Sequence, residues 1–136
     1  METYTGNISI RFRHPTKNLE YISSLLGLPC FRNWTVGSPQ QTPTGEPLKG
    51  KYNDSYWVSR LEFPSEEGFI EQLLYIIDLL VKDKETINDL KTTGGSVEIY
   101  LQLSGSINNG DTIDSSLLKT MGDLGVDLLI EVFVGV

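Results

Sequence analysis

Histidine and cysteine, the residues most often used for nucleophilic and metal chemistry, each occur once in this chain, as His14 and Cys30. They are 16 residues apart in the sequence, and no further residue supports a Cys–His pair. Cys30 stands between Pro29 and Phe31, an apolar context that predicts a small buried side chain rather than a reactive thiol. A zinc site with four ligands from one chain is not expected.

Longer catalytic and cofactor motifs are also missing from the sequence. It contains no CxxC pair, no HExxH pair and no nucleophile elbow. The Gly94-Gly95 pair follows a predicted helix and leads into a strand, which is the reverse of the order in a phosphate-binding loop. We therefore predict no catalytic residue, no metal site and no cofactor. An enzyme that uses His14, Cys30, Arg32 or Arg60 is the least favoured hypothesis.

The charge of the chain is unevenly distributed. The 136 residues carry a net charge of -7, and their number is typical of one domain covering residues 1–136. Residues 1–60 hold seven bases and four acids, whereas residues 61–136 hold four bases and fourteen acids. The acidic part argues against nucleic-acid binding and would suit a basic protein partner, although acids also simply keep a small domain soluble.

No segment predicts secretion or a membrane span. The first seven residues are polar and lack the apolar centre of a signal peptide. The longest apolar run is interrupted by Asp78 and Lys82, and it is too short to cross a bilayer. We expect a cytoplasmic protein that does not bind membranes.

Alternating and helical apolar patterns predict the elements that would position any site. Ile8, Ile10 and Phe12 alternate with polar residues and indicate a half-buried strand. We predict three helix N-cap residues, Thr16, Ser65 and Asp114. The predicted order is β-α-β-β-α-β-α-β. The predicted strands lie at 7–13, 31–36, 55–63, 97–103 and 126–134. The predicted helices lie at 16–26, 66–80 (continuing after a short break to 90) and 114–121, and a long exposed loop is predicted at 37–53.

This order predicts an α+β fold with two layers. A mostly antiparallel sheet of about five strands would carry two long helices on one face, in the ferredoxin-like topology or a variant of it. The second long helix is apolar beyond one face, so it would contact a loop or another subunit, and a homo-oligomer is compatible with the sequence.

The face of the sheet away from the helices is the main candidate binding surface. If the alternating apolar residues face the helices, arginines, aromatic rings and two apolar side chains of the last strand point outward. Arginine and aromatic residues are enriched at protein-binding hot spots. The long loop or the short third helix could instead cover some of them. The predicted residues are Arg11, Arg13, Tyr56, Arg60, Tyr100, Leu129 and Phe133.

A second candidate site is a pocket between the sheet and the helices. It would be lined by Trp34 and Trp57, with Tyr75 from the long helix, and Arg32 would lie nearby. Large aromatic rings next to an arginine could hold a planar anion. This site would suit a small-molecule sensor or carrier.

Several short segments resemble a known family. The helix ending in Leu25-Leu26-Gly27-Leu28-Pro29 is followed by Trp34 and Gly37, and a later strand carries Ser55-Tyr56-Trp57. This pattern, over residues 7–134, resembles the bacterial domain-of-unknown-function family numbered four-two-seven-nine. The resemblance implies an α+β fold and a bacterial source, and it brings no established catalytic residues.

Two functions remain open from the sequence. The first is a non-catalytic protein-binding module, for which small size and acidity suggest, by analogy, an immunity protein that blocks a basic toxin. The second is the small-molecule sensor or carrier. Tight binding to one protein partner would favour the first, and a sizeable apolar pocket would favour the second.

Overall fold

A computed structural model describes residues 5–62, 68–105 and 111–134 of the chain. These ranges contain seven strands and four helices. In chain order they are β1 (Thr5–His14), α1 (Ile22–Leu26), β2 (Arg32–Trp34), β3 (Pro39–Gln41), β4 (Pro47–Lys51), β5 (Ser55–Glu62), α2 (Phe69–Lys82), α3 (Lys84–Thr92), β6 (Ser96–Gly105), α4 (Ser115–Leu124) and β7 (Val126–Val134).

Five of the strands form one mixed sheet in the order β2-β5-β1-β6-β7. β1 lies in the middle and pairs antiparallel with β5 and β6, and β2 pairs antiparallel with β5. These four strands have the order and directions of a ferredoxin-like sheet, as predicted. β7 extends the sheet at one edge by pairing parallel with β6, to which α4 connects it. The sequence pattern therefore predicted the fold class correctly.

The helices cover one face of this sheet, which we call the inner face. The strand residues with period-two alternation supply the sheet side of the core, and the apolar stripes of α2, α3 and α4 supply the other. Burying this apolar area is the main term that stabilises the domain. The fully buried large side chains are Trp57, Phe12, Ile8, Ile10, Leu19, Ile22, Leu73, Ile76, Leu80, Ile87, Leu90 and Ile99.

Most helix ends follow the sequence signals. Asp114 caps α4 by accepting a hydrogen bond from the Leu117 backbone N–H at 2.9 Å. Gly27 and Gly125 end α1 and α4 in the left-handed conformation, which glycine adopts without strain. The predicted break in the long helix lies at Asp83, between α2 and α3. The predicted cap Ser65 lies outside the described residues, and α2 begins after Gly68.

Two predicted elements differ from the structure. α1 has only five residues and begins at Ile22, whereas at the predicted start the backbone N–H groups of Thr16 and Lys17 bind the His14 ring in a turn. The segment predicted as a loop at 37–53 contains the hairpin of β3 and β4. Its side chains are exposed on both faces of β4, so no alternating pattern marks it in the sequence.

No helix in the described part of the chain is both long and apolar enough to span a membrane.

Candidate functional site

All four arginines of the chain lie on the face of the sheet opposite the helices, which we call the outer face. The strand register brings them together. Arg13 lies opposite Tyr56, and Arg11 lies opposite Val58, on neighbouring positions of β1 and β5. Arg32 of β2 also lies opposite Val58, on the other side of β5. Directly paired residues share a face, so Arg11 and Arg32 lie in one row across the sheet, and Arg13 and Arg60 lie in the rows on either side of it.

Each of these four arginines packs against an aromatic ring. The distances from the guanidinium carbon to the ring centroid are 4.3 Å for Arg11 on Tyr100, 4.4 Å for Arg13 on Tyr56, 5.0 Å for Arg32 on Trp34 and 4.4 Å for Arg60 on Phe31. A guanidinium that lies on a ring keeps its N–H groups available at the edge of its plane. We call the four arginines together with their four rings the arginine face.

Part of the arginine face, including Arg11 and Arg60, lines a shallow cavity of about 270 Å³. Ser9 and Val58 form its floor and are both buried. The rim combines guanidinium groups with rings and one amide. Its residues are Arg11, Phe31, Tyr56, Arg60, Tyr100 and Gln102. This volume fits one small polar side chain or headgroup rather than a large cofactor.

Only part of the positive charge of the arginine face is neutralised by described acids. Arg11 forms an ion pair with Glu98 at 3.3 Å, and Arg13 forms one with Asp54 at 3.1 Å. Arg32 donates to the Gln41 backbone oxygen at 2.9 Å. Arg60 has no ion pair with a side chain that the structure describes. Arg32 and Arg60 are therefore the two arginines of this face without an ion pair to a described side chain.

One polar atom in the site lacks a partner. The Arg11 Nε atom is buried and has no hydrogen-bond acceptor among the described residues. A buried donor without an acceptor costs about 1–3 kcal/mol. An acceptor brought by a bound molecule, or a water, would remove this cost.

Aromatic stacking orders the β2 side of the arginine face. Trp34 stacks on Tyr56 at 4.5 Å and on Tyr52 at 4.6 Å between ring centroids. The Tyr52 hydroxyl accepts from the Gln41 backbone N–H at 3.1 Å, so the stack also ties the β3–β4 hairpin to the sheet. Offset or parallel ring pairs of this kind contribute about 0.5–1.5 kcal/mol each beyond their buried area.

On the β7 side, Tyr100 connects the arginine face to an acid. Its hydroxyl donates a hydrogen bond to the Glu131 carboxylate. This hydrogen bond, and to a smaller extent desolvation, raises the pKa of the Tyr100 phenol above its ordinary value. Leu129 lies directly opposite Tyr100, and Phe133 lies opposite Ser104 near the strand end.

All seven residues predicted for the outer face therefore lie there. Arg11, Arg13, Tyr56, Arg60 and Tyr100 belong to the arginine face, whereas Leu129 and Phe133 lie on the edge strand β7. The short strand β2 adds Arg32 and Trp34, which the sequence assigned to the other face. Phe31 and Val58 complete the site. Phe31 lies just before β2, so knowledge of the pairing between β2 and β5 would have indicated that Phe31 belongs to the site.

The predicted inner pocket is corrected by the structure. Trp57 is fully buried on the inner face, where its Nε1 donates to the Ser23 hydroxyl at 2.9 Å and its ring contacts Phe12. Trp34 and Arg32 lie on the opposite face, because Trp34 pairs with Tyr56 and not with an inward residue. The three predicted residues are thus separated by the sheet and do not line a common pocket. Tyr75 is exposed on α2.

His14 has a structural position. Its Nδ1 accepts hydrogen bonds from the backbone N–H groups of Thr16 at 3.1 Å and Lys17 at 2.9 Å. The proton of the neutral ring is therefore on Nε2, which donates to the Thr93 hydroxyl at 2.7 Å. Burial, and to a smaller extent the Lys17 ammonium, lowers the pKa of His14. Both ring nitrogens are used by this turn.

The prediction that Cys30 is buried was wrong, because Cys30 is exposed. It lies in the segment between α1 and β2, where the chain runs along the sheet edge and not through the core. Its Sγ accepts a hydrogen bond from the Asn33 side-chain amide at 3.4 Å. Across the ranges that the structure describes, no three His, Cys, Asp or Glu residues are close enough to hold a metal ion.

Comparison with known proteins gives a family assignment. The family described as "Domain of unknown function (DUF4279)" matches residues 2–134, which is nearly the whole chain. The resemblance predicted from the Leu25–Pro29 segment, Trp34 and Trp57 is thereby confirmed. No curated protein and no solved structure matches the chain.

Proposed function

For a chain that belongs to the DUF4279 family, whose description assigns no function, we propose a non-catalytic binding module that recognises an acidic segment of another protein on its arginine face. The observation that supports this proposal is the clustering of all four arginines, each on an aromatic ring, on the face of the sheet opposite the described helices, where Arg11 and Arg60 also line one cavity. Arginine and aromatic residues dominate protein-binding hot spots.

The chemistry of the site favours a carboxylate ligand. A guanidinium group can donate two parallel N–H groups to a carboxylate, which is a strong and directional pairing. Arg60 has no ion pair with a described side chain, so its guanidinium can bind a new anion. The rings were immobilised before binding, which limits the entropy lost on association.

A nucleic-acid ligand fits the site less well, although the strand order of the sheet and the aromatic residues of the site are compatible with nucleic-acid binding. Base stacking needs free ring faces. Here the Trp34 ring is stacked between Tyr52 and Tyr56, and guanidinium groups cover one face of Tyr100. We therefore propose a protein segment rich in Asp and Glu.

The predicted role as an immunity protein stays a prediction. The arginine face changes what that role would require of a partner, because this surface would contact acidic residues of a toxin and not basic ones. A basic partner would have to bind the helix layer instead. The two cases can be separated by asking which charges of this protein are needed for binding.

The test is a binding measurement with matched peptides. A fluorescent extended peptide containing several Asp and Glu residues is titrated with the protein and followed by anisotropy. The control peptide carries Asn and Gln at the same positions. Loss of one charge-assisted contact costs about 1.5–3 kcal/mol. Arg60→Gln should therefore weaken binding of the acidic peptide by about tenfold or more, whereas Arg60→Lys should retain only part of the affinity.

Lys84→Gln is the matched control, because it removes one positive charge from the exposed surface of α3 on the helix side. It should leave the affinity unchanged. The proposal is wrong if the acidic and neutral peptides bind equally, if Lys84→Gln is as harmful as Arg60→Gln, or if single-stranded RNA binds this face more tightly than the acidic peptide.

A capture experiment identifies the natural partner. Wild-type protein, Arg60→Glu and Lys84→Glu are used as baits in the source cell, and the captured proteins are compared by mass spectrometry. The proposal predicts a protein with an acidic exposed segment that is retained by wild type and Lys84→Glu and lost with Arg60→Glu.

A further inference from the structure

Strand β7 forms one edge of the five-stranded sheet. It pairs with β6 on one side, and within residues 5–62, 68–105 and 111–134 no strand pairs with its other side. The backbone N–H and C=O groups along that side are therefore available to a further strand. Nine residues make β7 long for an edge strand.

Exposed apolar side chains lie on both faces of β7. Leu129 and Phe133 on the outer face are 43% and 50% exposed, and Ile130 and Val132 on the inner face are 46% and 50% exposed. The helix layer covers only the start of the strand, where Val126 is buried. Natural edge strands are usually protected by lysine, proline, a bulge or short length, and the strand carries no Lys or Pro. An edge of this kind favours pairing with another strand.

We propose that β7 pairs antiparallel with β7 of a second copy of this chain, with Ile130 opposite Ile130 at the two-fold axis. This register places Leu128 opposite Val132 on the inner face. On the outer face it places Asp127 opposite Phe133 and Leu129 opposite Glu131. Apolar residues then meet across the inner face, and neither acid faces another acid.

The charges of β7 favour this register over the other antiparallel registers that pair most of the strand. Moving the axis by one residue towards the N-terminus places Asp127 opposite Glu131 of the other copy. Moving it by one residue towards the C-terminus places Glu131 opposite its own equivalent. Like charges that lie directly opposite destabilise a sheet. The strand is thus self-complementary in one long register, which favours a second copy over an unrelated strand.

The pairing has a consequence for the binding site. A two-fold axis perpendicular to the sheet would join two sheets into one of ten strands, with both arginine faces on the same side. The two central β1 strands would be five strand spacings apart, or about 24 Å. A partner with two acidic segments could then bind both copies at once, with the gain in avidity that two linked sites give.

The experiment uses disulfide cross-linking of the full chain. Cys30 is exposed and is first changed to Ser. In this background, Ile130→Cys would face its own equivalent at a Cα separation of about 4.5–5.5 Å, which a disulfide can bridge. Leu129→Cys is the matched control, because its side chain is similarly exposed but its own equivalent would lie diagonally across the pair, more than about 7 Å away.

Under mild oxidation we expect about tenfold more cross-linked dimer for Ile130→Cys than for Leu129→Cys. Light scattering of the Cys30→Ser protein under reducing conditions should give the mass of a dimer, and Val132→Lys should shift it towards the monomer. The proposal is overturned if the Cys30→Ser protein is a monomer at every concentration, or if Leu129→Cys cross-links as well as Ile130→Cys. These outcomes do not depend on the arginine face, whose peptide affinity is measured separately.

Discussion

Removing the ring of Trp34 should weaken both the fold and the binding site. Trp34 lies between Tyr52 and Tyr56 and also supports the guanidinium of Arg32. Trp34→Ala deletes all three contacts at once and detaches the β3–β4 hairpin from its contact with the sheet. Trp34 is only half-buried, so the loss of stacking should dominate over the formation of a cavity.

The magnitude follows from the ring contacts. Two stacked pairs at about 0.5–1.5 kcal/mol each predict that Trp34→Ala lowers the free energy of unfolding by about 1–3 kcal/mol. The part that belongs to Tyr52 can be isolated with the double variant Trp34→Ala, Tyr52→Ala. The coupling energy from this cycle should be about 0.5–1.5 kcal/mol. Tyr52→Phe keeps the ring, so it separates stacking from the hydrogen bonds of the hydroxyl.

The assay is urea denaturation followed by tryptophan fluorescence. The chain has two tryptophans, and Trp57 is fully buried, so it reports unfolding in every variant that lacks Trp34. A coupling energy of zero between Trp34 and Tyr52 would refute the argument that the stack holds the hairpin. Unchanged peptide affinity in Trp34→Ala would show that Arg32 needs no ring beneath it to bind an anion.

Three further predictions concern the framework. Folding lowers the pKa of His14, so the neutral ring contributes to the free energy of unfolding. This contribution is fully present above the ordinary histidine pKa of about 6.5 and should decrease as the pH falls towards the folded pKa. His14→Ala should remove this pH dependence from urea midpoints measured across that range. Gly95→Ala places a Cβ at 2.7 and 2.9 Å from two backbone oxygens and should lower the free energy of unfolding by about 1–3 kcal/mol. Gly122 has open space around it in α4, so Gly122→Ala should raise the free energy of unfolding by about 0.5–1 kcal/mol, measured by thermal unfolding. Asp114→Ala should cost about 1 kcal/mol by the same measurement, and Asp114→Asn should keep most of the cap.

The strands that alternate regularly were predictable from the sequence. Ile8, Ile10 and Phe12 are buried on the inner face, as their period-two pattern predicts. The same pattern places Arg11 and Arg13 on the outer face. It was reliable here because β1 lies in the middle of the sheet and has one covered face along its length. The residues of the site that lie on β1, β5 and β6 followed directly.

The part of the site from β2 was not predictable. A strand of three residues has too few positions to define an alternation, so nothing local indicated the face on which Arg32 and Trp34 lie. Their face depends on the pairing of β2 with β5, which is a long-range contact. Similarly, the alternation of β7 places Ile130 and Val132 on the inner face, but the sequence did not show that the helix layer ends before reaching them.

The sign of the net charge also gave little guidance to the binding surface. The acids outnumber the bases by seven, yet many of them lie on the helix layer, including Glu71, Asp78, Glu85, Asp89 and Asp123. The arginines lie on the opposite side of the sheet, and in a low-dielectric cavity the nearest charges act more strongly than distant ones in water. A ligand at the arginine face is thus governed by guanidinium groups within a few ångströms, while the acidic helix layer mainly orients the protein during approach. Added salt screens both the attraction of an acidic partner to the arginine face and its repulsion from the helix layer. Raising the salt concentration should therefore slow association with that partner less than it would if the arginine face acted alone.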